Sequence, residues 1–413
     1  MLARWLGFVA FAAVSLGAVG CGSVAVSDVA ETTGGQLTVY SGEPLQGPSA
    51  PIAEQIVNGE SLALSDAHGR AGPFKIAFVS LDDASPKSDE WSPEVTETDA
   101  KTAAQDPSTI AYLGDYDSGA TAVSLPLTNA AGILQISPAS PYVGLTSSLD
   151  AEQDEPGRYY PSGTRTFVRV APGDIVQARA QVQLMSSLGV HRLYVLDDQD
   201  PFQVPLADIV ASDAEQAGIT VIAHDSLSTV PGAVFTGEVE KIVEHHAQAV
   251  FMAGDEGTGT AELWRQLHSA SPRLTLLGSS AMASESFASR IGAAAASTYL
   301  TTPILPASLY PPSAQRVLRA YAGTFGSQAS PYALYGYESM TLVLGAIRGA
   351  GVRGDDRETV IERVFATRNR NSVLGRYSVQ ANGETTLSSY GVDRVANGHL
   401  VFYREVDTAT AQT

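Results

Sequence analysis

Cysteine is nearly absent: Cys21 stands alone in 413 residues, so no disulfide can form within the chain. Cations are scarce too, 25 Lys and Arg against 44 Asp and Glu, for a net charge of −19. Nucleic acid, whose phosphates would repel such a chain, is excluded as a partner, and the plain reading of the acidity is solubility, with a cationic ligand as the alternative. Catalytic signatures are missing. There is no G-x-x-x-x-G-K-[ST], no G-x-S-x-G, no S-x-x-K and no H-E-x-x-H. No enzyme, cofactor or metal site is therefore expected. The one histidine cluster, His245-His246, is read as a solvated helix face, because adjacent helical residues point apart. What is present is globular: 44% hydrophobic and 17% charged residues, with length enough for two domains.

The only long apolar run lies at the start. Arg4 gives a basic n-region, Trp5 to Leu16 an apolar h-region, and small residues lead to Cys21. That run falls short of the roughly 20 residues a membrane span needs. Ala18-Val19-Gly20-Cys21 resembles a bacterial lipobox, with Ala18 where leucine is usual. The expectation is a signal peptide over 1–20 and a lipid on Cys21, with an ordinary signal peptide as the alternative. Residues 21–36, rich in Ser, Thr, Val and Gly, read as a flexible tether.

From Gln36 onward, strand-like runs alternate with helical patterns, which implies α/β architecture with parallel sheets. Strands are expected at Leu37–Ser41, Lys75–Ser80, Ile110–Leu113 and Ile133–Ile136, with helices at Ile52–Asp66 and Glu94–Ala104 between them. Pro93 suits the first turn of the latter. A second unit follows, with helices Asp174–Leu188, Val204–Ala217 and Thr260–His268, and strands Leu193–Leu196, Thr220–Ala223, Ala249–Ala253, Leu274–Leu277 and Thr298–Thr302. Helices are also expected at Ala314–Thr324, Tyr332–Arg348 and Arg357–Arg368. The end has strand character, with turns at Asn382-Gly383 and Asn397-Gly398.

Function is most legible in IAYLGDYDSGATAVSLPLTNAAGILQISPASPYVGLT, Ile110 to Thr146. It reads as strand, helix, strand, with polar loops at both carboxyl ends, where open α/β sheets bind small ligands. Ser118 stands in the N-cap place, and the free N–H groups there suit an anionic group. Ser118 and Thr121 are thus the first ligand candidates. Asp115 and Asp117 flank the loop. Asp82-Asp83 and Asp197-Asp198, ending strands, read as loop or capping polarity.

This segment resembles the branched-chain amino acid type of ABC-transporter substrate-binding protein. Tyr40 to Gly47, Asn58-Gly59 to Leu64, Val79 to Ala84, Leu188-Gly189 to Asp198, and Tyr335-Gly336-Tyr337-Glu338 continue the likeness along the chain. The resemblance implies the type 1 periplasmic-binding fold: two Rossmann-like lobes joined by a three-crossing hinge near Val168, Leu300 and Leu374. Lobe 1 would hold 37–168 and 303–373, and lobe 2 would hold 169–302 and 374–413. It places a carboxylate-binding serine on Ser118, backbone contacts on Ala139, Ser140 and Pro141, and aromatics on Phe202 and Tyr332. Pro141 departs from the pattern, having neither hydroxyl nor N–H. The acid that holds a ligand's ammonium falls on Ser280, which carries no charge. Asp255 or Glu256 could replace it, or both are solvated loop acids. The implied role is that of a monomeric, lipid-anchored protein on the outer face of the bacterial membrane, delivering a small ligand to ABC permease subunits. A sensory lipoprotein serving a signalling partner is the alternative.

Overall fold

The computed structural model describes residues 35–85, 91–149 and 151–409. The expected signal peptide, Cys21 and almost all of the tether lie outside them. The order is β1 (Gln36–Glu43), α1 (Ala50–Asp66), β2 (Arg70–Ala71), β3 (Phe74–Asp82), α2 (Pro93–Gln105), β4 (Thr109–Gly114), α3 (Ser118–Ala130), β5 (Leu134–Ser137) and β6 (Phe167–Arg169). Then come α4 (Asp174–Ser187), β7 (Arg192–Asp197), α5 (Val204–Gln216), β8 (Thr220–Ser226), α6 (Thr236–Glu244), β9 (Ala249–Ala253), α7 (Thr258–Ala270) and β10 (Thr275–Gly278). After α8 (Glu285–Arg290) and β11 (Thr298–Thr302), the chain forms α9 (Pro312–Phe325), α10 (Tyr332–Ala350) and α11 (Arg357–Phe365). It ends with β12 (Arg370–Asn371), β13 (Arg376–Tyr377), β14 (Ser389–Ala396) and β15 (His399–Asp407).

Two sheets result. The first, of six strands, runs β2-β3-β1-β4-β5-β6, and the second, of seven, runs β15-β14-β11-β10-β9-β7-β8. Both are parallel through their centres and carry antiparallel edges at β2 and at β14–β15. Central strands are buried on both faces, so they read as continuous apolar runs: Ala249–Ala253 is buried throughout. Pro93 opens α2, and the β14–β15 turn has positive φ at Asn397 and Gly398, as expected of a hairpin.

The three-crossing hinge is present. The chain leaves the first sheet after β6, returns after β11 so that α9, α10 and α11 pack on the first core, and re-enters the second sheet at β14. Val373, Leu374, Tyr377 and Val379 still belong to the first core, so the last passage occupies residues 380–388 rather than Leu374. A second core runs across the first crossing, from Leu125, Tyr142 and Phe167 to Leu184, Leu206 and Phe251. Helices α1 and α10 meet through glycines. A Cβ on Gly59 would lie 2.1 Å from the Ala333 carbonyl oxygen, and one on Gly336 would lie 2.1 Å from that of Ile56. Any larger residue would push the helices apart.

One local reading changes. His245 closes α6 and His246 adopts positive φ in the turn beyond it, so the pair is not on a helix face. Helix α6 ends just before that pair; nine residues with only Val239 and Ile242 buried give a short periodic signal. The Ala-rich stretch after Ile291 forms 3-10 turns before β11.

Candidate ligand-binding cleft

The loops after β4 and β5 are locked together. Ser140 Oγ donates to the Asp115 carbonyl at 2.8 Å and lies 2.6 Å from Thr121 Oγ1, both hydroxyl residues being wholly buried. Ser137 Oγ accepts from the N–H groups of Ala139 at 3.1 Å and Ser140 at 2.8 Å, and donates to the Asp115 carbonyl at 2.8 Å. Thr121, Ser137 and Ser140 thus hold the two loops in register, with the Ala139 N–H bracing the second loop. The N-cap of α3 is Asp117 and not Ser118, which is the first helical residue. Ser118 Oγ accepts from the Tyr142 N–H at 3.3 Å, and the first intrahelical bond begins at Thr121. The N–H groups of Ser118, Gly119 and Ala120 precede that bond, where an anion is favoured. The Pro141 carbonyl accepts from the Asp174 N–H at 2.9 Å, tying this loop to α4.

Aromatic rings gather at the helix start. A Cβ on Gly119 would fall 2.3 Å from Trp91 and 3.1 Å from Phe202, so glycine lets both rings seat on the backbone. Phe202, from the second lobe, packs edge-on against Tyr142 with centroids 5.1 Å apart. Tyr332 does the same with Tyr116 at 6.1 Å. The expected aromatics therefore have partners that the sequence reading missed: Trp91, Tyr116 and Tyr142. Tyr116 had one signal, standing between Asp115 and Asp117 in the loop.

From the second lobe, the Asp255 N–H binds Asp198 at 2.8 Å, with the residue exposed, and the Glu256 carbonyl accepts from Arg290 at 2.5 Å. The Ser280 N–H donates to Gln177 Oε1 at 2.7 Å. Asp197 accepts from Gln199, His224 and Ser226, and Asp82 from Leu45 and Ala84, which is loop bracing as expected. Asp83 differs: it is fully buried and, among the described residues, neither oxygen has a hydrogen-bond partner.

Asp83 belongs to a group of acids at the carboxyl edge of the first sheet. Glu43, Glu60 and Asp115 are also fully buried. Burial, reinforced by neighbouring acids, pushes Asp83 up to about 8 and Glu43 well above the carboxylate range. Burial lifts Glu60 to about 8 and Asp115 to about 7, the latter opposed by bonds from Ser124 and Tyr112. Glu43 and Glu60 were missed. Glu60 follows Ile56 by four residues and precedes Ala63 by three, so it shares the inward face of α1. Among the described residues no group of three or more His, Cys, Asp or Glu could hold a metal ion.

Behind the cleft, Arg169 of β6 is wholly buried. It donates to the carbonyls of Ser140 at 2.6 Å and Tyr142 at 2.7 Å, and to Thr146 Oγ1 at 3.1 Å. It pairs with Glu384 of the third crossing at 3.3 Å, and its N–H reaches the Gly383 carbonyl at 3.1 Å. The hinge and the loop after β5 thus share one guanidinium.

Two lobes of parallel sheet, facing each other through aromatic rings at the start of α3, define a bilobal solute-binding fold of the type 1 periplasmic class. The chain belongs to the periplasmic binding protein family, whose model matches residues 42–399. It is similar to the Leu/Ile/Val-binding protein BraC3 of Rhizobium johnstonii, 22% identical over 372 residues that span 88% of this chain and 93% of the relative. Among solved structures it resembles the leucine-binding protein LivK of Thermotoga maritima, with TM-score 0.74, 19% identity and coverage of 91% and 99%. It also resembles an R. palustris ABC-transporter solute-binding protein in complex with benzoate, with TM-score 0.69, 16% identity and coverage of 90% and 97%. The family is extracytoplasmic, and among the described residues no helix is long and apolar enough to cross a membrane.

Proposed function

We propose that this protein captures a small ligand, an amino acid or a related amide or organic acid, between its lobes and hands it to an ABC permease, without catalysis. Support comes above all from one meeting point: Phe202 of the second lobe and Trp91 of the first both rest on Gly119, beside free N–H groups. Ser118 and that helix start take an anionic group, while Phe202 and Tyr332 wall the cleft. Thr121, Ala139 and Ser140 shape it, and Asp255 or Glu256 offers a carboxylate from the second lobe. The first lobe comprises 37–168 and 303–373 and the second 169–302 and 374–413, with the packing of Leu374 and Tyr377 moving the last boundary towards Ser388. BraC3 is named for Leu, Ile and Val, and one structural relative holds benzoate, so the class of ligand is broad. A monomer tethered through lipid on Cys21 fits this role, and Cys21→Ser should move it from membranes to the soluble fraction.

The test is a thermal-shift screen against amino acids, amides and organic acids. A ligand at 100 times its Kd stabilises by about 2.7 kcal/mol. A hit should also shrink the radius of gyration in small-angle scattering, since a hinge closes on what it binds. No stabilising ligand in the panel would sink the reading.

A further inference from the structure

Open α/β sheets take ligands in the crevice at the carboxyl edge where the strand order reverses. In the first sheet that reversal lies at β1, which has β3 on one side and β4 on the other. Glu43 ends β1 opposite Asp82, and Gly114 ends β4 opposite Gly42, so Glu43, Asp83 and Asp115 border the crevice. The Asp83 N–H donates to the Glu43 carbonyl at 3.3 Å, which sets these two residues side by side.

Glu43 and Asp83 are each 0% exposed, and none of their four carboxyl oxygens has a hydrogen-bond partner among the described residues. Native proteins rarely leave such groups unsatisfied, because each costs its full desolvation. Asp115, in the same crevice, shows the ordinary solution, taking bonds from Tyr112, Ser124 and Gln135. The charged groups acting on Glu43 and Asp83 are Glu60 of α1, Asp82 at the end of β3, Asp99 of α2, and Asp115 and Asp117 between β4 and α3. All are acids. A partner that suits an all-acid surround is a cation, and the geometry for a metal ion is absent among the described residues.

We propose that the captured ligand carries an ammonium or guanidinium group, which docks against Glu43 and Asp83 at the strand-order reversal of the first sheet. This rests on the capture reading above and names the chemistry of the ligand. Burial and neighbouring acids push Asp83 up to about 8 and Glu43 in the same direction, so docking a cation favours release of a proton and binding tightens as pH rises towards that value.

The experiment is calorimetry on the full chain at pH 8, in two buffers of different ionisation enthalpy. The probes are putrescine, agmatine and L-leucine, set against 4-methylpentanoate (leucine without its ammonium), benzoate and acetamide. A cation-bearing probe should bind with release of protons. Glu43→Gln and Asp83→Asn should each weaken it at least tenfold, and Asp255→Asn less than threefold. Both variants, free of ligand, should melt no lower than the parent at pH 8, which separates lost binding from lost folding. Unchanged affinity in both variants overturns the proposal, as does a loss confined to Asp255→Asn. If only probes without a cation bind, the proposal fails and capture stands. If no probe binds, both fall.

Discussion

Replacing Arg169 by methionine should loosen the hinge and the loop after β5 together. The guanidinium is wholly buried and holds three oxygens, those of Ser140, Tyr142 and Thr146, besides its pairing with Glu384. Removing one partner of a buried pair costs about 3–5 kcal/mol, because the other charge is left uncompensated. Glu384 keeps 15% of its side chain in water and a bond from Thr146, which favours the lower end, about 3 kcal/mol. For a lobe-sized unit each kcal/mol lowers Tm by about 2–4 °C, so the fall should be roughly 6–12 °C. Thermal melts followed by circular dichroism measure it. A double variant, Arg169→Met with Glu384→Met, should recover part of the loss, since an apolar pair leaves no orphan charge. A fall of less than about 2 °C in the single variant, or strict additivity in the double, would refute the claim that one buried guanidinium braces both hinge and loop.

Gly119→Ala should place a methyl 2.3 Å from Trp91 and force that ring off the helix start. Overpacking costs about 1–3 kcal/mol, so affinity for a verified ligand should fall roughly 5- to 150-fold. Trp91 emission should shift, and an unchanged Kd would show that the rings do not frame the cleft. His224 lies 2.9 Å from Asp197 and 3.3 Å from Asp208, and its hydrogen bond to Asp197 raises it above the ordinary 6.5. A raised histidine stabilises fully below its unfolded value and loses that contribution as pH rises through the folded one. Asp197, held below 3.8 chiefly by His224 against the opposing effect of burial, contributes above that value and loses it in acid. The pair should therefore help most between about pH 4 and 6.5. Melts of parent and His224→Gln should differ there and converge in alkali; a constant gap across pH would rule the pairing out.

The strands were legible because both sheet faces are covered. Ala249–Ala253 and Thr298–Thr302 fall where continuous apolar or β-branched runs predict them. Prolines and Asn-Gly pairs fixed ends, as at Pro93 and Asn397. The α3 start moved by one residue because Asp117 and Ser118 are both good caps, and local sequence does not choose between them. The three crossings were not legible from periodicity at all, since they depend on which sheet each segment joins; they came from family likeness. Its third position was misplaced because Leu374 and Tyr377 look the same whichever core receives them. Trp91 and Tyr142 escaped notice for a related reason: only tertiary packing brings Trp91 to Gly119 and Tyr142 to Phe202.

The acids of the first lobe show why a net charge is a poor guide to where charge sits. A surface carboxylate costs little and aids solubility. Asp83 and Glu60, lifted to about 8, and Asp115, lifted to about 7, are of another kind. In the unfolded chain they ionise near 4, while in the fold they stay protonated to near neutrality. Between those values the unfolded state binds fewer protons, so stability falls as pH rises. Such a cluster works against the lobe that contains it under neutral conditions. Nothing in the packing of β1, β3 and β4 requires it, because Leu or Met would fill the same space without the cost. Its position at the strand-order reversal, beside the aromatic rings and the free helix start, makes it intelligible as part of the cleft. The energy withheld from the empty form is returned when a cation replaces the protons, and binding then draws on a strain that folding has already stored.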